Sequence, residues 1–226
     1  MKFKMLVVIA CVLGLSSKSQ NKAIEVNSTD DLMEVIPEKV SLRFPQFSEG
    51  IAYFKNGNAT SAFFNYNLLL GEMQFIDAKG DTLSIANVEA VDYITIGNTV
   101  FYYVKGFYEL ITESNSLKLT KKERFEVADK QKIGGYGQAS SSGSIDNYST
   151  YTMQGRPITL TVREKVLFKK YISYYILSNN GAVIANKSGF IKAFPGRKKS
   201  IETFLSENNI NFKKEDDLKK LFKFLG

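Results

Sequence analysis

Val91-Asp92-Tyr93-Ile94-Thr95-Ile96-Gly97-Asn98-Thr99-Val100-Phe101-Tyr102-Tyr103-Val104 decides the fold, because two runs of β-branched and aromatic residues meet there at a two-residue turn. That is the signature of an antiparallel hairpin. The same punctuation recurs on either side. Ile51–Phe54 and Ala59–Tyr66 flank Asn56-Gly57, a dipeptide suited to the positive φ angles of a tight hairpin turn. Glu72–Ile76 and Thr82–Ile85 flank Asp77-Ala78-Lys79-Gly80-Asp81, and Tyr174–Leu177 and Ala182–Ala185 flank Asn179-Asn180-Gly181. From Gly50 to Ile184 the chain therefore reads as a mainly β protein, an antiparallel meander forming a rolled or partly closed sheet.

Alternation tells which residues face inward. Ile158, Leu160, Val162, Val166, Phe168, Ile172, Tyr174 and Ile176 all occupy even positions, while Thr159, Thr161, Arg163, Lys165 and Lys169 on the odd positions are polar. One face of these strands is expected to be buried and the other wet. Glu164 and Lys170 interrupt the apolar row, which predicts bends or turns at both. Phe63-Phe64 and Phe101–Val104 are apolar on both parities, so these strands are expected to be covered on both faces. Between Gly134 and Gly155 lies a polar stretch rich in Gly, Ser, Thr, Asn and Gln, long enough to suggest a functional or flexible loop. Tyr136, Ser141, Asp146, Tyr148 and Tyr151 are its candidate partner-contact residues.

After Pro195 the composition turns to helix formers. Ile201, Phe204 and Leu205 form one apolar stripe and Leu218, Leu221, Phe222 and Leu225 a second, with Asn208-Asn209-Ile210-Asn211 between them. Two C-terminal amphipathic helices, within residues 196–226, are expected to dock on the sheet. Glu215-Asp216-Asp217 opens the second, and Lys219, Lys220 and Lys223 follow, a charge order that suits the helix dipole. A shorter helix is expected around Asp30–Ile36, stopped by Pro37.

The first residues address the compartment. Lys2 and Lys4 precede an apolar run from Met5 to Leu15, and Ser17-Lys18-Ser19 offers small residues for cleavage before Gln20. This is the pattern of a secretory signal peptide over residues 1–19, with an apolar run too short to span a bilayer. Val8-Ile9-Ala10-Cys11 has lipobox residue types, but Val12 to Leu15 continue the apolar run past Cys11, against lipidation. The mature chain, 20–226, is then read as a single β-rich domain with no transmembrane segment.

Composition removes whole chemistries. The mature chain carries 27 Lys and Arg against 23 Asp and Glu, a mild excess that does not suggest a nucleic-acid partner. Histidine is absent, and the single cysteine, Cys11, leaves with the signal. Soft-metal sites, His-based triads, Cys-His nucleophiles, dithiol chemistry and structural disulfides are thereby excluded. Gly134-Gly135-Tyr136-Gly137 lacks the Gly-Lys-Ser/Thr of a phosphate loop. The Ser-x-x-Lys spacing occurs only at Ser19–Lys22, across the cleavage site. Asp30-Asp31 and Asp216-Asp217 suit helix starts, and Asp77 and Asp81 bracket a turn without the residue pattern of a calcium loop. The sequons at Asn27, Asn58, Asn147 and Asn186 are read as chance. No catalytic, cofactor or metal residue is assigned.

Asn65–Ile76, Gly80–Leu83, Ile96–Tyr103 and the Lys-rich C-terminal helix pair resemble exported β-rich envelope proteins of Bacteroidota-type Gram-negative bacteria. The resemblance covers most of the mature chain and implies a periplasmic or outer-membrane-associated location, or an extracellular one. It carries no activity or site residues with it. Asp81-Thr82-Leu83 is similar to the sites such bacteria O-glycosylate. Function is accordingly expected to be non-enzymatic: a binding or assembly module for another envelope protein. The alternatives are a carrier of a lipid or other apolar ligand in the curved sheet, and a hydrolase of glycans working through two carboxylates.

Overall fold

The computed structural model describes residues 24–27, 38–133, 139–140, 148–153, 156–161 and 164–226, and side chains for 40–126 and 168–226. Residues 1–19, the helix expected at Asp30–Ile36, and the Gly134–Gly137 run lie outside the described residues.

Every hairpin read from the turn dipeptides forms. Gly57, at φ +86°, turns β2 (Ser48–Phe54) into β3 (Ala59–Asn67). The chain then continues through β4 (Glu72–Ile76) and β5 (Thr82–Ser84), a one-turn 3₁₀ helix at Val88–Ala90, β6 (Val91–Ile96) and β7 (Thr99–Tyr103). Next come β8 (Phe107–Ser114) and the long β9 (Leu117–Ile133). With β1 (Ile24–Asn27), β13 (Glu164–Ser178) and β14 (Gly181–Ile184), they build one antiparallel sheet. Its main path runs β1-β13-β9-β8-β7-β6-β2-β3-β4-β5. β14 pairs with β13 off that path, and β10 (Ala139–Ser140) with β9. The fold is mainly β and the sheet is open.

The sheet curls enough to bring together strands that are not neighbours in it: Phe125 N–H of β9 donates to Leu68 O, just past β3, at 3.2 Å. Inside the curl, Phe64, Tyr66, Met73, Ile94, Ile96, Phe101, Phe107, Phe125 and Phe168 form one buried core. Each such side chain contributes about 1.5–3 kcal/mol by leaving water. On the opposite face, register pairs Tyr53 with Tyr93, Tyr93 with Tyr102 and Tyr102 with Tyr108. The first three rings pack in series, Tyr53 on Tyr93 at 4.5 Å and Tyr93 on Tyr102 at 5.5 Å, so they bind three strands together, while the Tyr108 ring packs on Tyr175 of β13.

A second core forms where helices cover the other end of the sheet. Leu119 and Ile176 from the strands meet Phe190, Phe194, Ile201, Leu218, Leu221, Phe222 and Leu225, all buried. Both expected apolar stripes are present, on α3 (Lys198–Glu207) and α4 (Glu215–Leu225). There is a third C-terminal helix, α2 (Lys187–Ala193), which the reading from Pro195 onward missed. Its interior Gly189 weakens the helical signal. That glycine is required, because a Cβ there would stand 1.9 Å from Ile184 O. Asn186 caps α2 by accepting from Gly189 N–H at 2.9 Å, so this sequon asparagine has a structural task. A short α1 (Glu38–Ser41) precedes β2.

Three expectations need correction. Lys170 makes no turn: β13 runs straight through it, and its amine meets a carboxylate on β9 instead of solvent. Ile172, on the supposedly buried parity, is 45% exposed, because the side chains around it on that face are charged. Phe63 is 50% exposed, so β3 is covered on both faces only further along, where Asn65 and Asn67 on the Phe63 parity are buried.

Candidate functional site

The concave faces of β8, β9 and β13 should be apolar by alternation, and over one stretch they are not. Along β9 the inward row runs Leu117, Leu119, Lys121, Glu123, Phe125. Register sets Lys121 opposite Glu109 of β8 and opposite Tyr174 of β13, while Glu123 faces Ile172. Lys170 lies opposite Phe125 on the same face. A patch of alternating charge therefore sits between the two apolar cores.

Arg43 completes the patch from outside the sheet. Its backbone N–H donates to Tyr66 O at 2.9 Å, and the next residue is clasped by a fully buried asparagine. Asn65 Oδ1 accepts from Phe44 N–H at 3.1 Å, and Asn65 Nδ2 donates to Phe44 O at 3.0 Å. The segment is thus held as if paired in a sheet, which aims the Arg43 side chain inward.

There Arg43 donates from Nε to Glu109 Oε2 at 2.8 Å and from Nη2 to Glu109 Oε1 at 3.0 Å. Lys121 Nζ lies 3.0 Å from Glu109, 3.8 Å from Glu123 and 3.7 Å from Glu215 of α4. Lys170 Nζ is 2.6 Å from Glu123 Oε2, and Lys219 Nζ 2.6 Å from Glu215 Oε1. Four cations thereby surround three carboxylates. Burial pushes the Glu109 carboxyl up, but the Arg43 hydrogen bonds and the Arg43 and Lys121 charges outweigh it and hold the group below its ordinary value. The bond to Glu109 in turn raises Arg43. Glu109 and Glu123 are the buried carboxylates among the described residues, and cations hold both. Glu109, held ionised in this way, is unsuited to proton donation.

Beside the network opens a cleft of about 610 Å³, lined by Val40, Leu42, Arg43, Phe44, Pro45 and Lys170. Two sides of its chemistry are distinct. The Arg43 guanidinium lies 5.2 Å from the Phe44 ring, and with Lys170 it gives the cleft a cationic wall. Val40 at its lip is 43% exposed, and Ile172 stands two residues beyond Lys170 on the same face of β13.

The candidate contact residues of the polar stretch fall elsewhere. Tyr148 and Tyr151 belong to β11 (Tyr148–Met153), which pairs with β12 (Arg156–Thr161) in a separate two-stranded sheet, opposite Thr161 and Ile158. They are in a strand rich in Tyr and Thr, residues that favour extended pairing over an open loop. Tyr136, Ser141 and Asp146 lie outside the described residues. Asp216 and Asp217 stand in the first turn of α4, as expected, and Asp217 Oδ2 also accepts from Asn211 N–H; Asp77 Oδ1 accepts from Lys79 and Asp81 N–H within its turn, and Asp30 and Asp31 lie outside the described residues. Thr82 is exposed on the edge strand β5.

Sequence reasoning missed Arg43, Glu109, Lys121, Glu123 and Lys170. The signal was present: Lys170 broke an apolar row, and Lys121 and Glu123 broke the one facing it. Interruptions of one face on neighbouring strands mark a buried charge pair. No family model, no curated protein and no solved structure matches the chain.

Proposed function

We propose that this chain is a non-enzymatic exported protein of the cell envelope, a binding or assembly module that receives a protein partner on the cleft beside Arg43. One observation carries the reading: exposed Val40 lines a cleft whose cationic wall is fixed in place by a buried ion network, and exposed Ile172 follows two residues after Lys170 of that wall. A rigid charged wall beside exposed apolar groups suits contact with an acidic, partly apolar surface. The proposal of export rests on residues 1–19 and on the resemblance to envelope proteins.

The competing readings have less support. A lipid carrier needs an empty interior, and here the curl is filled by Phe64, Tyr66, Met73, Phe101, Phe107 and Phe125. A two-carboxylate hydrolase needs one carboxyl held protonated, whereas Glu109 is shifted the other way.

Native mass spectrometry of the mature protein, purified gently from its own envelope, tests this against an Ile172→Asp, Val40→Asp variant. A protein adduct at fixed stoichiometry that the variant loses supports the proposal. A lipid adduct alone, or the same adduct on both proteins, overturns it.

A further inference from the structure

We infer that a second opening, distinct from the cleft beside Arg43, is a binding site for a small amphipathic anion: one carboxylate on an apolar body. The opening lies where the β3–β4 turn, β5, the β7–β8 turn and β9 converge on the wall of the roll, and encloses about 260 Å³. Its floor is apolar, with Met73, Ile85, Val88 and Phe107, and its rim carries Lys105 and Lys122. Glu72 also lines the opening, and its carboxylate is occupied in accepting from Ser84 Oγ at 2.7 Å. The volume lies below that of pockets for drug-sized ligands, so the ligand is small.

Lys105 gives the rim its meaning. It occupies the turn between paired Tyr103 and Phe107 at φ +54°, in the left-handed region where a lysine is strained and glycine or asparagine is not. At its other non-glycine turn of the same φ the chain uses Asn115. Lysine stands where asparagine would cost less, and this strain points to a use for its ammonium. The following Gly106 leaves room for the second cation, since a Cβ there would stand 2.8 Å from Lys122 Nζ. That amine also lies 5.4 Å from the Tyr108 ring centroid, which holds it at the rim. Tyr103 is braced in turn by donating to Glu89 Oε1 at 2.9 Å. Two ammonium groups over an apolar floor match a carboxylate with a short hydrocarbon body.

The test is calorimetric titration of the mature protein with octanoate, using octan-1-ol and acetate as comparators. Octanoate should bind at one saturable site, and each comparator should bind at least about tenfold more weakly, because each lacks half of the recognition. Lys105→Asn should leave the melting temperature unchanged or raise it, since it relieves the turn, while octanoate affinity falls about tenfold. Lys122→Met should lower affinity similarly. Absence of saturable octanoate binding, or wild-type affinity in both variants, overturns the inference; the melting temperature separates lost binding from lost fold.

Discussion

Arg43 and Glu109, 66 residues apart in sequence, are joined by two parallel hydrogen bonds of 2.8 and 3.0 Å, and this pair ties the segment before β2 to the centre of the sheet. Removing the arginine leaves a buried carboxylate with part of its compensation gone. Arg43→Ala is expected to cost about 2–3 kcal/mol, less than a fully buried pair because the guanidinium side is a quarter exposed. The paired change Arg43→Met with Glu109→Leu should recover much of that loss. Urea unfolding of the two variants measures the difference, and equal losses would show that the pair is not energetically coupled.

Acid should unfold the protein through this network. Glu109 titrates below its ordinary value of 4.5 when folded, so its contribution is complete above that value and is lost as pH falls through the lower folded value. Melting temperature followed from pH 6 downward should drop steeply below about pH 4.5, and Glu109→Gln should flatten that slope while lowering stability at neutral pH. At the alkaline end, burial followed by the Glu89 contact raises Tyr103 to about 12 from 10.0. Its contribution is intact below pH 10 and disappears between the two values.

Tyr66 presents the opposite case. Its ring is 2% exposed and its hydroxyl is buried without a hydrogen-bond partner among the described residues. Burial raises its pKa, as expected for a phenol surrounded by Phe101 and Phe107. An unsatisfied buried hydroxyl costs about 1–3 kcal/mol, so Tyr66→Phe should be neutral or stabilising by about 1 kcal/mol. A loss above that size in chemical unfolding would mean that the hydroxyl has a partner.

Gly189→Ala should reverse the usual rule for helices. In an exposed helix interior the change gains about 0.5–1 kcal/mol, but at this position the new methyl would meet Ile184 O at 1.9 Å. We expect a loss of about 2 kcal/mol or more as α2 is pushed off β14, visible as a lower urea midpoint. Alanine at exposed Lys192 on the same helix is the control and should shift it little.

Much of the architecture was legible because its signals are local. Asn56-Gly57 and Gly97-Asn98 fix turns from two residues each, and the stripe Leu218, Leu221, Phe222, Leu225 fixes a buried helix face from eleven. The charge network was not legible, because its members Arg43, Glu109, Lys121, Glu123, Lys170 and Glu215 come from five separate stretches brought together by strand register and helix docking. Alternation also assumes that every inward residue is apolar. Ile172 obeys the parity yet stays exposed, since its inward neighbours are ions. Helix α2 was hidden by Gly189, where close packing outweighed intrinsic helical preference.

Strand order also governs how the molecule is assembled in time. β2 through β8 pair among themselves and with β9 and can do so before β13 is present, whereas among the described residues β1 pairs with β13 alone, Ile24 opposite Phe168. The helical core likewise waits for β13 and β14. β1 can take its place at one edge of the sheet only once Lys165 to Phe168 of β13 are present. Such long-separation pairing slows folding. A chain with this order remains unfinished until its C-terminal third is available.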